Sequence, residues 1–163
     1  MKVFTIGVYG WDEGDFTQAI RDAAPDLFVD VRRRRGLRGA TYAWANSARL
    51  QATLKGIGIP YIHRLDVAPS DATRHIVAKD AIAEGIGYRD RIILSPEYHE
   101  AYGKEVLATF DAQEFAASLG DDVGSIMLFC VERVPLACHR SILAEQMARN
   151  LGAEVVHILP PGE

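Results

Sequence analysis

Residues 3–31, VFTIGVYGWDEGDFTQAIRDAAPDLFVDV, contain two apolar runs joined by a segment with the period of an amphipathic helix. The runs Val3–Val8 and Leu27–Val31 have the length and composition of buried strands. Between them, Asp12 is placed to cap a helix. One apolar stripe of this helix would consist of Phe16, Ala19, Ile20 and Ala23. This order predicts a β-α-β unit, the basic element of a parallel sheet.

The rest of the chain repeats this alternation of strand and helix patterns. Three more strands are predicted at Ile59–His63, Ser125–Val131 and Glu154–Leu159. Further helix starts are predicted at capping or first-turn positions, namely Ser47, Ser95 and Pro135. The segment of about residues 65–95 has turn signals and a weak helical pattern, which predicts an excursion or a cover over the sheet.

The whole chain, residues 1–163, is expected to form one domain. It is 48% hydrophobic and 25% charged, which is enough apolar material for a core of ordinary size. The predicted fold class is α/β, a single-domain three-layer sandwich with a mostly parallel, Rossmann-like sheet of about five strands. The strand order 3-2-1-4-5 is the hypothesis for this sheet, and it would place a ligand crevice between the first and fourth strands.

Hydropathy and cysteine content predict the compartment. No apolar run approaches the roughly 20 residues that a membrane span needs, and the first residues have a strand pattern instead of a signal-peptide pattern. We therefore expect a cytoplasmic protein without a membrane partner. Two cysteines are too few for a disulfide scaffold, so free thiols are expected, with a Cys130–Cys138 bridge as the alternative.

Most of the reactive side chains lie in Cys130-Val131-Glu132 and in Cys138-His139-Arg140, between an apolar strand and an amphipathic helix. A strand that runs through a loop into a helix start directs free N–H groups and the positive helix end at one point, which favours an anion or a thiolate. Cys138 is the predicted nucleophile, and Arg140 is placed to hold phosphate or carboxylate. The alternatives are a packed, inert Cys130, a capping or surface His139 and an Arg140–Glu132 salt bridge.

Polar residues also follow the other predicted strands. Because the C-terminal ends of parallel strands open at one edge of the sheet, these residues are expected to meet there. The candidate catalytic residues are therefore Cys138, Glu132, His63 and Asp30. The candidate ligand-binding residues are Gly7, Tyr9, Arg32, Cys130, His139 and Arg140. Structural alternatives exist for Asp30, as a buried carboxylate bonded to a loop, and for His63, as a hydrogen-bonded strand end.

Charge is concentrated locally, because five arginines stand at positions 32–38 of a chain whose net charge is −4. Guanidinium groups suit bidentate contacts with phosphate or carboxylate, although a charge run is also typical of a solvated loop. We predict an enzyme-like domain that binds an anionic, phosphate-bearing ligand, either a nucleotide or a nucleic-acid terminus. One alternative is a non-catalytic nucleotide or nucleic-acid module that uses Arg32–Arg38 with Tyr42 and Trp44 for stacking. Another is a structural or partner-binding domain. The sequence assigns no reaction and no oligomeric state.

Metal and cofactor sites are not predicted. Cys130, Cys138, His139 and His63 are suitable zinc ligands by type, but seven residues separate the two cysteines and no second close pair is present. The chain also lacks the phosphate-binding P-loop, the dinucleotide-binding glycine fingerprint and the nucleophile elbow of the hydrolases.

Several short motifs together resemble a known family. They are Thr5-Ile6-Gly7, Val29-Asp30-Val31-Arg32, Gly58-Ile59-Pro60-Tyr61 before His63, Cys130-x-Glu132 with Cys138-His139-Arg140, and Val156-His157-Ile158. The family is the uncharacterised group catalogued as domain of unknown function 488. The chain departs from its pattern at Val8-Tyr9, in the arginine run and at Leu65-Asp66-Val67. The resemblance implies an α/β fold and a shared site, and it carries no activity.

Overall fold

The computed structural model describes residues 1–162, in which five parallel strands alternate with six α-helices. The strands are β1 (Lys2–Ile6), β2 (Leu27–Asp30), β3 (Tyr61–His63), β4 (Ser125–Phe129) and β5 (Glu154–Ile158). The helices are α1 (Glu13–Ala23), α2 (Ser47–Gly56), α3 (Asp71–Glu84), α4 (Pro96–Tyr102), α5 (Ala112–Leu119) and α6 (His139–Leu151). The predicted three-layer α/β fold with a sheet of five strands is confirmed.

The helices form the two outer layers. On one face of the sheet, α1 and α2 pack through an apolar cluster that includes Phe16, Ile20, Leu50 and Leu54. On the other face, α3 to α6 pack through a cluster that includes Val77, Tyr98, Phe115 and Leu143. Both faces of the central strands are therefore covered, as their continuous apolar sequences require.

The strand order is β3-β2-β4-β1-β5, so the hypothesis of 3-2-1-4-5 is wrong. The fourth strand lies between β1 and β2, with Ile126 opposite Val3 and Leu128 opposite Val29. The physical reason is burial: all four residues from Ile126 to Phe129 are fully buried, as suits the middle of the sheet. The helices that follow β2 and β1 lie on one face and the helix that follows β4 on the other, so a crevice can open on either side of the end of β4.

The helix starts follow their capping residues closely. The carboxylate of Asp12 accepts a hydrogen bond from Asp15 N, and the hydroxyl of Ser95 accepts one from Tyr98 N, so both predicted caps are confirmed. At α2 the predicted cap, Ser47, is the first helical residue and Asn46 is the N-cap. The Asn46 amide oxygen instead accepts a hydrogen bond from Leu37 N at 2.6 Å, which ties the arginine-rich loop to this helix start.

Residues 65–95 contain α3 and two short 3-10 turns, Leu65–Val67 and Tyr88–Asp90. The segment packs beside the C-terminal edge of the sheet, where Val67, Val77 and Leu94 join the core cluster that also contains Cys130 and Cys138. Among residues 1–162, no helix combines the length and the hydropathy that crossing a lipid bilayer requires.

Candidate functional site

A cavity of about 270 Å³ lies at the C-terminal edge of the sheet, between the ends of β2 and β4. Its walls come from the arginine-rich loop after β2, from the 65–98 region and from the loop between β4 and α6. Six arginines line it, Arg32, Arg33, Arg34, Arg38, Arg74 and Arg91, whereas Glu132 is the one acidic residue among the described lining residues. The cavity is therefore strongly positive in a protein whose net charge is negative.

Cys130, Cys138 and His139 line this cavity together. Cys130 follows β4 directly, while Cys138 is the N-cap of α6 and His139 is its first residue. Each sulfur atom is 3.9 Å from His139 Nδ1, and both cysteines are free thiols. His139 Nε2 donates a hydrogen bond to the Val31 carbonyl at 2.9 Å. The imidazole thus spans the gap between the end of β2 and the two sulfurs.

The pKa values of the two thiols are shifted in opposite directions, because each cysteine affects the proton of the other. Burial raises the pKa of Cys138, but the hydrogen bond from Cys130, the charge of Arg140 and the adjacent His139 bring that pKa well below its usual value. The pKa of Cys130 is raised by its hydrogen bond to Cys138 and by burial. Of the two thiols, Cys138 is therefore the one that loses its proton more readily.

Glu132 and Arg91 form a buried ion pair on the cavity wall. Arg91 Nη2 is 3.3 Å from Glu132 Oε1, and each residue is only 5% exposed. Burial, followed by the charge of Cys138, raises the pKa of Glu132 to about 8, although Arg91 and Arg140 oppose the shift. Arg91 Nε and Nη1 are buried without a hydrogen-bond partner. Arg91, which lines the cavity, therefore has two buried nitrogens that no group of the described residues satisfies.

Arg32 lines the cavity, but other groups of the protein already engage its guanidinium. It donates two hydrogen bonds to the Asp30 carboxylate, at 2.9 and 2.8 Å, and a third to the Ala45 carbonyl at 2.9 Å. Its Cζ atom lies 4.5 Å from the centre of the Phe129 ring. These contacts leave Arg32 as a fixed element of the cavity floor.

Asp30 and His63 support that floor from behind and are not lining residues. The Asp30 carboxylate also accepts a hydrogen bond from the Tyr61 hydroxyl at 2.7 Å, and His63 Nε2 donates to the Arg32 carbonyl at 2.8 Å. These contacts are the ones expected of Asp30 and His63 under the structural alternatives to a catalytic role. To act as the predicted base, the Asp30 carboxylate would first have to break its two hydrogen bonds with the Arg32 guanidinium.

Arg140 holds the backbone of the β4–α6 loop. It is fully buried, and its guanidinium donates to the carbonyls of Glu132, at 2.6 Å, and Arg133, at 3.2 Å. The alternative salt bridge to Glu132 does not form, because the Glu132 carboxylate pairs with Arg91. Arg140 is also not a lining residue, so the structure places it behind the proposed anion site.

Gly7 and Tyr9 meet the same loop from β1. The Gly7 Cα is so close to the Glu132 carbonyl that a Cβ would overlap its oxygen and stand 2.9 Å from its carbon. The backbone N–H groups of Val8 and Tyr9 both donate to the Val131 carbonyl at 3.0 Å. Tyr9 lines the cavity, with its ring 4.8 Å from the Arg89 guanidinium, whereas Gly7 lies outside the lining.

Sequence reasoning missed the residues that the 65–98 region contributes to the cavity. These residues are Pro69, Arg74, Val77, Tyr88, Arg91, Leu94 and Tyr98. The one available signal was the presence of arginines in a segment already predicted to cover the sheet. No local pattern marks Arg91 as the partner of Glu132, because the two meet only through the tertiary fold.

Comparison with known proteins gives one family. The family model described as "Domain of unknown function DUF488" matches residues 14–147, a range that contains the arginine-rich loop, Cys130, Glu132 and the start of α6. No curated protein and no solved structure matches the chain.

Proposed function

Because the chain belongs to the DUF488 family, for which no activity is described, we propose a function from the site itself. The protein binds an anionic, phosphate-bearing small ligand, a nucleotide or a nucleic-acid terminus, in the cavity between β2 and β4. The observation that carries this proposal is the state of Arg91, a buried guanidinium with unpaired donors in a cavity lined by arginines.

Arg91 provides the most specific support. One of its nitrogens pairs with Glu132, and Nε and Nη1 have no acceptor. A buried donor without a partner costs roughly 1–3 kcal/mol, a cost that native proteins rarely carry without a reason. Phosphate oxygens match the fixed fork of a guanidinium and would satisfy two donors at once. A bound phosphate would therefore complete the hydrogen bonding of this side chain.

The remaining arginines favour the same class of ligand. Arg33, Arg34, Arg38 and Arg74 surround the cavity, and Arg34 and Arg74 share the single carboxylate of Asp71. Their positive potential would draw an anion toward Arg91. The cavity volume of about 270 Å³ suits a ligand no larger than a small nucleotide.

The alternative of a nucleic-acid module that stacks bases on Tyr42 and Trp44 is weakened. Trp44 is only 6% exposed, and its ring packs against Phe16 at a centroid distance of 4.7 Å, so it offers no stacking face. Arg32 is likewise committed to Asp30. For such a role the arginine-rich loop keeps the half-buried Tyr42 but loses Trp44 and the first of its cations.

Cys138 lines the cavity that would hold the ligand, so it could act as a nucleophile there, and we assign it no reaction. A cytoplasmic location, which would keep both thiols reduced, stays a prediction.

Arg91→Gln tests the proposed anion site. We expect the wild-type protein to bind a nucleoside 5′-monophosphate more tightly than the matching nucleoside in isothermal titration calorimetry. Arg91→Gln should weaken binding of the monophosphate at least about tenfold, equivalent to about 1.4 kcal/mol. Arg49→Gln, which removes a remote exposed arginine paired with Glu13, is the control and should leave binding unchanged.

Arg33→Gln provides a second variant, because Arg33 is only half-buried and its loss should not disturb folding. Arg33→Gln should weaken binding of the monophosphate by a smaller factor than Arg91→Gln does. Equal affinities for nucleoside and monophosphate, or equal binding by wild type and both cavity variants, would contradict the proposal. A steep loss of oligonucleotide binding with added salt, without any monophosphate binding, would favour the nucleic-acid alternative.

A further inference from the structure

We propose that Cys130, Cys138 and His139 form a binding site for a zinc ion, with three protein ligands and a fourth position that opens into the cavity. The two Sγ atoms and a ring nitrogen of His139 all lie within 4.8 Å of one another. All three residues are buried, and all three line the cavity.

The separation of the ligand atoms fits tetrahedral zinc. Bond lengths of about 2.3 Å to sulfur and about 2.0–2.1 Å to nitrogen imply sulfur-to-nitrogen separations of about 3.6 Å. The two observed Sγ–Nδ1 distances are both 3.9 Å. An ion would therefore shorten each sulfur-to-nitrogen separation by about 0.3 Å, which side-chain rotation can supply.

The orientation of His139 supplies the second, independent argument. Its Nε2 faces the Val31 carbonyl at 2.9 Å, and since a carbonyl can only accept, the hydrogen sits on Nε2. Nδ1, the ring atom that faces both sulfurs, is then the nitrogen that could bind a metal ion. A carbonyl behind a metal-binding histidine is a common arrangement, because it fixes the tautomer and the ring orientation.

Tertiary structure explains why the linear spacing argued against a metal. The end of β4 brings Cys130 to the start of α6, where Cys138 and His139 are adjacent. His63, the remaining candidate by type, is not part of the group whose ligand atoms lie within 4.8 Å of one another. Soft thiolate ligands favour zinc over the oxygen-seeking magnesium and calcium ions.

The fourth position distinguishes this site from a closed structural one. Sites with four protein ligands are typical of structural zinc, while three ligands and an open position are typical of catalytic zinc. Here the open position would face the arginine-lined cavity, where a water molecule or an oxygen of an anionic ligand could complete the coordination. An ion with two thiolates is neutral overall, so it would leave the positive charge of the arginines in place.

Cobalt spectroscopy on the tag-free full-length protein tests the site. The protein is reduced with a non-thiol reductant, stripped with a chelator and titrated with Co²⁺. We expect saturation at one equivalent, with thiolate-to-cobalt charge-transfer absorption in the near ultraviolet and the intense visible bands of tetrahedral cobalt. Added Zn²⁺ should then displace the cobalt and bleach both signals. Since the chain has only two cysteines, the charge-transfer band reports on this pair alone.

Three variants and one control complete the test. Cys130→Ser, Cys138→Ser and His139→Asn should each weaken cobalt binding roughly 100-fold or more, whereas His99→Ala, an exposed histidine on α4, should leave it unchanged. Wild-type protein that shows no charge-transfer band, or that binds cobalt equally after Cys138→Ser, would overturn the proposal. Because the wild-type spectrum alone decides the first of these outcomes, a variant that fails to fold leaves the test intact. Titration of the metal-free protein with the monophosphate tests the proposed anion site separately, so either proposal can fail without the other.

Discussion

Asp30→Asn is expected to destabilise the protein by about 3–5 kcal/mol, the usual loss when one partner of a buried ion pair is removed. Asp30 is fully buried and Arg32 is 2% exposed, so the guanidinium cannot turn to solvent when its carboxylate is lost. The same carboxylate accepts the Tyr61 hydroxyl hydrogen bond, which ties β2 to β3. The substitution keeps the shape of the side chain and removes its charge, so the loss is electrostatic.

Urea unfolding followed by circular dichroism measures this effect. Glu100→Gln is the matched control, because Glu100 pairs with Lys104 on an exposed helix surface, where such pairs contribute roughly 0–1 kcal/mol. Adding Arg32→Met to Asp30→Asn should restore part of the stability, since the double variant no longer buries an unpaired charge. A loss below about 1 kcal/mol in Asp30→Asn would show that water reaches this pair.

Gly7→Ala is expected to cost about 3 kcal/mol, at the upper end of the usual range for an added methyl group in a packed interior. The new Cβ would overlap the Glu132 carbonyl oxygen and lie 3.3 Å from Arg140 Nη2. Backbone cannot rotate away as a flexible side chain can, so the loop between β4 and α6 must shift. That shift would also move Cys130 and Glu132 at the cavity wall.

The control for this substitution is Gly103→Ala. Gly103 has helical dihedral angles, and apart from its own neighbouring backbone no atom lies within 4 Å of the place where an alanine methyl group would stand. Alanine there should therefore be neutral or stabilising by up to about 1 kcal/mol. Thermal unfolding of both variants gives the comparison, and monophosphate titration shows whether the Gly7→Ala cavity still binds. Wild-type stability in Gly7→Ala would contradict the close approach of β1 to the loop.

Local patterns predicted the five strands and most of the helices, but not α5 as a separate helix and not the order of the strands in the sheet. The apolar runs at residues 3–8 and 27–31 and the cap at Asp12 specify a β-α-β unit from neighbours in sequence. The position of β4 depends instead on which strand best tolerates full burial, a competition between distant segments. Its run from Ile126 to Phe129 was the most apolar candidate, and that criterion would have favoured the central position.

The candidate site was likewise predictable where it depends on local sequence, and not where it depends on the tertiary fold. The strand–loop–helix sequence from Cys130 to Arg140 located the reactive groups, because the loop and helix start are local features. The pairing of Asp30 with Arg32 is local, because the two residues are only two positions apart, but the pairing of Arg91 with Glu132 is supplied by the tertiary fold. Arg91 was missed for that reason, and its Nε and Nη1 are buried without a hydrogen-bond partner.

The neighbours of β1 have a consequence for biosynthesis. This strand pairs only with β4 and β5, which the ribosome makes after residue 124. Until then the nascent chain has Val3, Phe4 and Ile6 without a hydrogen-bonded partner strand, while β2 and β3 can already pair. Such distant pairings slow folding, because a long loop must close before they form. We therefore expect β1 to be the last strand to find its place in the sheet, after the C-terminal strands are made.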